Sequence, residues 1–263
     1  MNRALRTAAT GMYAQQLNVE IMANNLANVN TTGFKKSRAE FQDLMYQTLK
    51  VSERSQNPNV QDSTEIQVGN GTLPVATLKS FAQGDLQPTN NPLDVSIQGE
   101  GFLQVRRPDG SVAYSRDGAL KISGEGTLVT AQGYIVEPGV SFSSDTNSIM
   151  ISRDGVIEAT AVGDTVPVKL GQFELAKFIN PAGLRSIGNN LYVETAASGR
   201  PINGAAGSEG FGELQQNFLE SSNVDIVEEM VNMITAQRAY EINSKTIKTV
   251  EEMLSMANNL KRG

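Results

Sequence analysis

The chain has 263 residues, a formal net charge of −6, and no cysteine, histidine or tryptophan. The acidic balance disfavours a polyanion such as nucleic acid as partner. Lack of cysteine excludes a disulfide framework or thiolate metal site, and lack of both histidine and cysteine removes the commonest general base, nucleophile pairing and zinc ligands. No cofactor, metal or catalytic residue is expected.

Met1 to Thr7 carry two arginines, but polar Thr7, Thr10, Gln15, Gln16 and Asn18 interrupt any apolar run behind them. A cleaved secretory signal is therefore not expected, and no stretch is apolar enough to span a bilayer. From about Arg3 to Asn30 the sequence predicts a helix, rich in Ala, Leu, Met and Gln and free of proline. Leu5, Met12, Val19 and Leu26 recur every seven residues, with Ala8, Met22 and Val29 three places further on. Such a repeat keeps one apolar stripe facing a partner helix. Asn18, Asn24, Asn25, Asn28 and Asn30 crowd the same segment. They fit either a fraying helix end or amides that set the register between helices.

Gly33 is the expected stop. A short helix is predicted over Ala39–Tyr46, and Lys50 to Pro92 reads as an extended connector with a strand at Thr72–Phe81. Leu93 to about Thr195 predicts an all-β domain, a sandwich or barrel, with strands at Leu93–Ile97, Phe102–Val105, Thr127–Val129, Tyr134–Glu137, Ser148–Ser152, Val156–Thr160, Thr165–Phe178 and Asn190–Glu194. Asp109-Gly110, Asp117-Gly118 and Asp154-Gly155 are read as hairpin turns. The acidic turns lack the spacing of a calcium loop. Gly99-Glu100-Gly101 and Gly124-Glu125-Gly126 lack the third glycine of a dinucleotide loop.

Residues 196–220 return to Gly, Ala, Ser and Asn before a second long helix. It is announced by Ser222-Asn223-Val224-Asp225, with Glu228 and Glu229 in its first turn and Lys261 and Arg262 at its close. Ile226, Met233, Tyr240, Ile247 and Leu254 repeat every seven residues, joined by Ala236, Val250 and Ala257. The fold class expected is α+β: long N- and C-terminal helices forming a coiled-coil-like domain, an extended connector and an all-β centre. The domains expected are 1–34 with 221–263, 35–92 with 196–220, and 93–195.

Ala23-Asn24-Asn25-Leu26-Ala27-Asn28-Val29-Asn30-Thr31-Thr32-Gly33-Phe34-Lys35 resembles the N-terminal signature of bacterial flagellar rod and hook proteins. Asn223–Met230 and Ala236–Lys245 are similar to the matching C-terminal end, while Asn91–Phe102 and Tyr114–Gly118 resemble the middle of that family. Length and the segment Phe41–Leu49 look most like its distal rod members, with a proximal rod or hook-type member as the alternative. The resemblance implies a non-enzymatic subunit of the flagellar basal body that polymerises head-to-tail into a stiff helical tube carrying torque to the hook. It also implies export through the flagellar type III apparatus without signal cleavage. Other rod proteins, hook or hook-junction proteins and bushing-like ring proteins are the implied partners. In that assembly Leu5, Met12, Val19 and Leu26 pack with Ile226, Met233, Tyr240, Ile247 and Leu254 within and between subunits. Asn24, Asn25 and Asn28 set register, Arg238 and Glu241 pair between subunits, and Tyr46–Gly71 braces neighbours against bending. A carboxylate hydrolase and a closed oligomeric adhesin are the competing classes.

Overall fold

The computed structural model describes residues 2–50, 66–143, 145–163 and 166–260. They show an α+β chain with a helix at each end and a β-rich centre. It divides into two compact units: Met1–Leu26, Ser37–Leu78 and Ile226–Gly263 form one, and Ala27–Lys36 with Lys79–Asp225 the other.

In the first unit, helix α1 spans Asn2–Ala27 and helix α2 spans Ile226–Leu260. At about 1.5 Å per residue they are about 39 and 52 Å long. The unit also holds two small ladders, Ser37–Asp43 with Thr72–Lys79 and Gln47–Lys50 with Ile66–Val68. The helix predicted at Ala39–Tyr46 is thus corrected to a strand through Asp43. Ladder pairing with Thr72–Lys79 outweighs a modest helix propensity, which is only a weak local preference. Lys261 and Arg262, expected to close α2, lie outside the described residues, as does the middle of Tyr46–Gly71.

The second unit is built on a nine-stranded sheet. Its main order runs Arg185–Gly188, Leu191–Val193, Val112–Ser115, Phe102–Arg106, Ile135–Val136, Leu128–Thr130, Leu120–Ile122, every pair antiparallel. The sheet branches at Phe102–Arg106, whose residues 102–103 also pair with Glu174–Lys177, which in turn pairs with Ile202–Ala205. The order is open-ended, a layered arrangement and not a closed barrel. A three-stranded sheet (Thr146–Ile151, Val156–Ala161, Val168–Gln172) and two long-range pairs complete the unit: Val95–Gln98 with Glu213–Gln216, and Leu86–Pro88 with Phe218–Glu220. The segment 196–220 therefore carries three strands that its small polar residues did not announce.

Alternation explains why Phe102–Arg106 is central. Leu103 and Val105 enter a large core with Val95, Ile97, Ile157 and Leu214, while Phe102 joins a cluster with Tyr114, Phe178, Leu184 and Tyr192 on the opposite face. The aromatic rings there meet edge to face at centroid distances of 4.8–6.1 Å. Asp109-Gly110 and Asp154-Gly155 do turn hairpins, with Gly110 at φ +80° and Gly155 at φ +78°. Asp117-Gly118 does not: the strands either side of it pair with other partners. A Cβ on Gly118 would fall 1.6 Å from the Val95 carbonyl oxygen, so this glycine permits a close backbone approach.

Candidate assembly interface

The two terminal helices run antiparallel: Gly11 lies against Asn243, and Asn25 against Glu229. A Cβ on Gly11 would come within 2.9 Å of the Asn243 amide nitrogen, so the missing side chain lets the helices approach. Ala8, Ala14, Met22 and Asn25 of α1 are buried, as are Glu229, Ala236 and Val250 of α2. These α2 positions are the small or polar half of its heptad. The large half is less covered. Leu5, Met12, Val19, Leu26, Met233, Ile247 and Leu254 are half-buried, while Ile226 and Tyr240 remain 47% and 42% exposed.

Asn25 is 1% exposed and its amide is fully engaged. Its Nδ2 donates to the Ser37 carbonyl at 2.8 Å and to Glu229 Oε2 at 3.2 Å, and its Oδ1 accepts from the Ser37 N–H at 2.9 Å. It thus stitches α1 to α2 and to the first strand. Asn24 is exposed, and half-buried Asn28 accepts from the Thr31 hydroxyl at 3.2 Å. Arg238 and Glu241, both exposed, pair with each other along α2 at 2.9 Å. Glu229, expected only as an acid of the first helical turn, is a seam residue that sequence reasoning missed. Its signal was a carboxylate seven residues before Ala236, on the seam.

The face of α2 opposite this seam is apolar at its N-terminal end. At about 100° per residue, Val227, Val231 and Ile234 fall on the side away from buried Glu229 and Ala236, a side continued by Arg238 and Lys245, and all are exposed. A helix apolar on two opposite faces buries only one of them in a two-helix pair.

In the second unit the sequence motifs converge on a buried polar node. Lys35 Nζ donates to Glu220 Oε1 at 2.6 Å and to the Ala82 carbonyl at 2.8 Å, and both charged side chains are wholly buried. Arg116 lies 3.6 Å from the other Glu220 oxygen, donates to the Gly99 carbonyl at 2.9 Å and stacks over Phe102. Burial pushes the Lys35 ammonium below its ordinary pKa, against the pull of Glu220. Gly33, at φ +64°, packs within 2.7–2.8 Å (measured from an ideal Cβ) of the Arg116–Asp117 backbone. The Thr32 hydroxyl donates to Asp117 at 2.8 Å. Asn223 receives the Lys36 N–H at 2.7 Å and donates to the carbonyls of Ser80 and Ala82. Lys35, Arg116 and Glu220 carried no sequence signal of this role, because their separation along the chain hides their contact.

None of this resembles a catalytic constellation. A cleft of about 600 Å³ beside Ile122, Phe142 and Ile149 has Glu125 as its one ionisable side chain. Among the described residues no group of three or more Asp or Glu is placed to hold a metal, and no helix is long and apolar enough to cross a membrane.

Three family models align along the chain in the order of these features. The flagella basal body rod protein model matches residues 5–35, covering α1 and the Gly33 turn. The flagellar hook protein FlgE/F/G D1 domain model matches 96–159, and the flagellar basal body rod FlgEFG protein C-terminal model matches 215–260, covering α2. The flagellar basal-body rod protein FlgG of Borreliella burgdorferi is 54% identical over the whole of both chains. The chain belongs to the flagellar basal-body rod protein FlgG family. The FlgG protein of Caulobacter vibrioides is 46% identical, covering 98% of this chain and 99% of that one. That of Bacillus subtilis is 37% identical over the full length of both. The family is structural and not enzymatic, and its place is the flagellar basal body.

Proposed function

We propose that this chain is a structural subunit of the distal rod, polymerising head-to-tail into a stiff tube that carries motor torque to the hook. The observation that carries the reading is the apolar patch of Val227, Val231 and Ile234 on α2, exposed in the single chain and opposite the face already used. Each of its large side chains contributes roughly 1.5–3 kcal/mol when fully buried, an incentive no single copy realises. The half-covered large seam residues, from Leu5 to Leu254, add coiled-coil-like packing within and between subunits. Non-identical faces meeting in series do not close, and generate a helical filament.

In this reading 1–34 with 221–263 form the inner core, 35–92 with 196–220 the connector, and 93–195 the outer surface. Asn24, Asn25 and Asn28 hold register, and Arg238 and Glu241 exchange partners between subunits. The segment Tyr46–Gly71 braces neighbours. Other rod proteins, hook or hook-junction proteins and surrounding ring proteins are the partners, and export runs through the flagellar type III apparatus without a cleaved signal.

The test is sedimentation and negative-stain microscopy of the full chain at rising concentration, beside Ile234→Asp. Tubes from the parent and none from the variant are expected. A parent chain that stops at a small closed oligomer overturns the reading.

A further inference from the structure

The chain passes between its two units after Leu26, Lys36, Leu78 and Asp225. In the second unit, the last three of these passages adjoin the segments 33–36, 80–85 and 220–223, and those segments are bound to one another. The Gly33 N–H donates to the Glu220 carbonyl at 2.8 Å, the Ser80 N–H to the Lys36 carbonyl at 2.9 Å, and the Ser221 N–H to the Asp85 carbonyl at 2.8 Å. Every pair of segments thus shares a backbone hydrogen bond. Side chains reinforce the pairing. Glu220 Oε1 accepts from Lys35 Nζ and from the Gly84 N–H at 3.0 Å, while Asn223 joins Lys36 to Ser80 and Ala82. Gly84 lets the backbones close up, since a Cβ there would collide with the Ser221 carbonyl oxygen.

We propose that these three segments form a clasp that opens and closes as one cooperative unit, separately from the nine-stranded sheet. Lys35 and Glu220 are wholly buried, so releasing either segment alone strands a charge in the interior. A buried polar network is favourable only when complete, and this couples the three openings. Segments that open together below the free energy of global unfolding are the general form of such a unit. Peeling of 220–223 alone is the competing behaviour. It would leave the bond from Ser80 to Lys36 intact, because neither residue lies in that segment. The mechanical consequence rests on the assembly reading: a load that reaches the second unit along one segment is shared by the other two before it bears on the sheet.

Native-state hydrogen exchange on the full chain, held below the concentration at which it assembles, tests the clasp. In the parent, the amides of Gly33, Ser80, Gly84 and Ser221 are expected to share one opening free energy and one urea dependence. Both should lie below those of the strand Phe102–Arg106, which is paired on either side. Asn223→Ala removes one hydrogen-bonding side chain from the clasp and is expected to speed exchange at all four amides by the same factor, roughly tenfold. The strand should not respond. Asn180→Ala, which removes a bond to the Ala197 carbonyl elsewhere in the same unit, is expected to leave the four amides unchanged. Faster exchange at Gly33 and Ser221 with Ser80 still protected shows 220–223 peeling alone and overturns the clasp. Equal acceleration of the strand, a response to Asn180→Ala, or no response to Asn223→Ala overturns it as well. Since the chains are unassembled, each of these results leaves the assembly reading standing, and a failure to form tubes leaves the clasp standing.

Discussion

Lys35, Arg116 and Glu220 place two cations around one carboxylate in a site closed to water. Breaking a buried pair from one side leaves an uncompensated charge, at a cost of roughly 3–5 kcal/mol. Glu220→Gln keeps the shape of the side chain and removes its charge. It is expected to lower the stability of the second unit by that amount, read as a shift in urea midpoint with unchanged slope. A shift below 1 kcal/mol would show that the two cations find other compensation. Tyr192, packed in the aromatic cluster, gives a second signature. Burial, with Glu220 adding to it and Arg116 opposing, pushes its phenol up to about 12 from 10.0. The unfolded chain therefore loses this proton while the folded one still holds it. The contribution to stability is whole below pH 10 and disappears as pH climbs from 10 towards 12. Relative to Tyr192→Phe, the parent should lose up to about 1.4 kcal/mol per pH unit across that window. Parallel stability profiles for the two proteins would contradict it.

At the level of elements, α1 and α2 form because apolar residues recur at helical spacing, but Asn25 and Gly11 determine how they meet. Gly11 costs about 1 kcal/mol of helix propensity relative to alanine and in return admits Asn243 at close range. Asn25→Leu would leave the Ser37 N–H and carbonyl and the buried Glu229 carboxylate each short of a partner. Its expected cost is about 2–4 kcal/mol, visible as loss of helix signal at lower urea than in the parent. An unchanged midpoint would mean that water replaces the amide in full. The same amide engages the backbone of Ser37, at the start of the strand Ser37–Asp43. Local propensity could not reveal that pairing, which is why a helix was expected there.

At the scale of the whole chain, each unit is discontinuous in sequence. The second unit is completed by pairs such as Val95–Gln98 with Glu213–Gln216, formed across more than a hundred residues. Alternation made most of its strands legible one at a time, but periodicity along a strand contains no information about its neighbour. The segment 196–220 was the hardest to read, since its strands carry few large apolar residues and are held by partners far upstream. The helices were the easiest, and their seven-residue repeat was taken as a single seam. Tertiary packing divides that repeat: in α2 the small residues Ala236 and Val250 meet α1, while Ile226 and Tyr240 stay open.

By itself the sequence determined the helices at both ends, the β-rich middle, the lack of histidine and cysteine chemistry, and, through its motifs, the flagellar family. All of these depend on residue type and local spacing. Only the tertiary structure decided that Lys35, Arg116 and Glu220 share one buried site, that Asn25 serves two partners, and that α2 keeps a second apolar patch uncovered. Those outcomes depend on which distant surfaces meet, and a buried charge or an exposed leucine acquires its energetic meaning only from what lies against it.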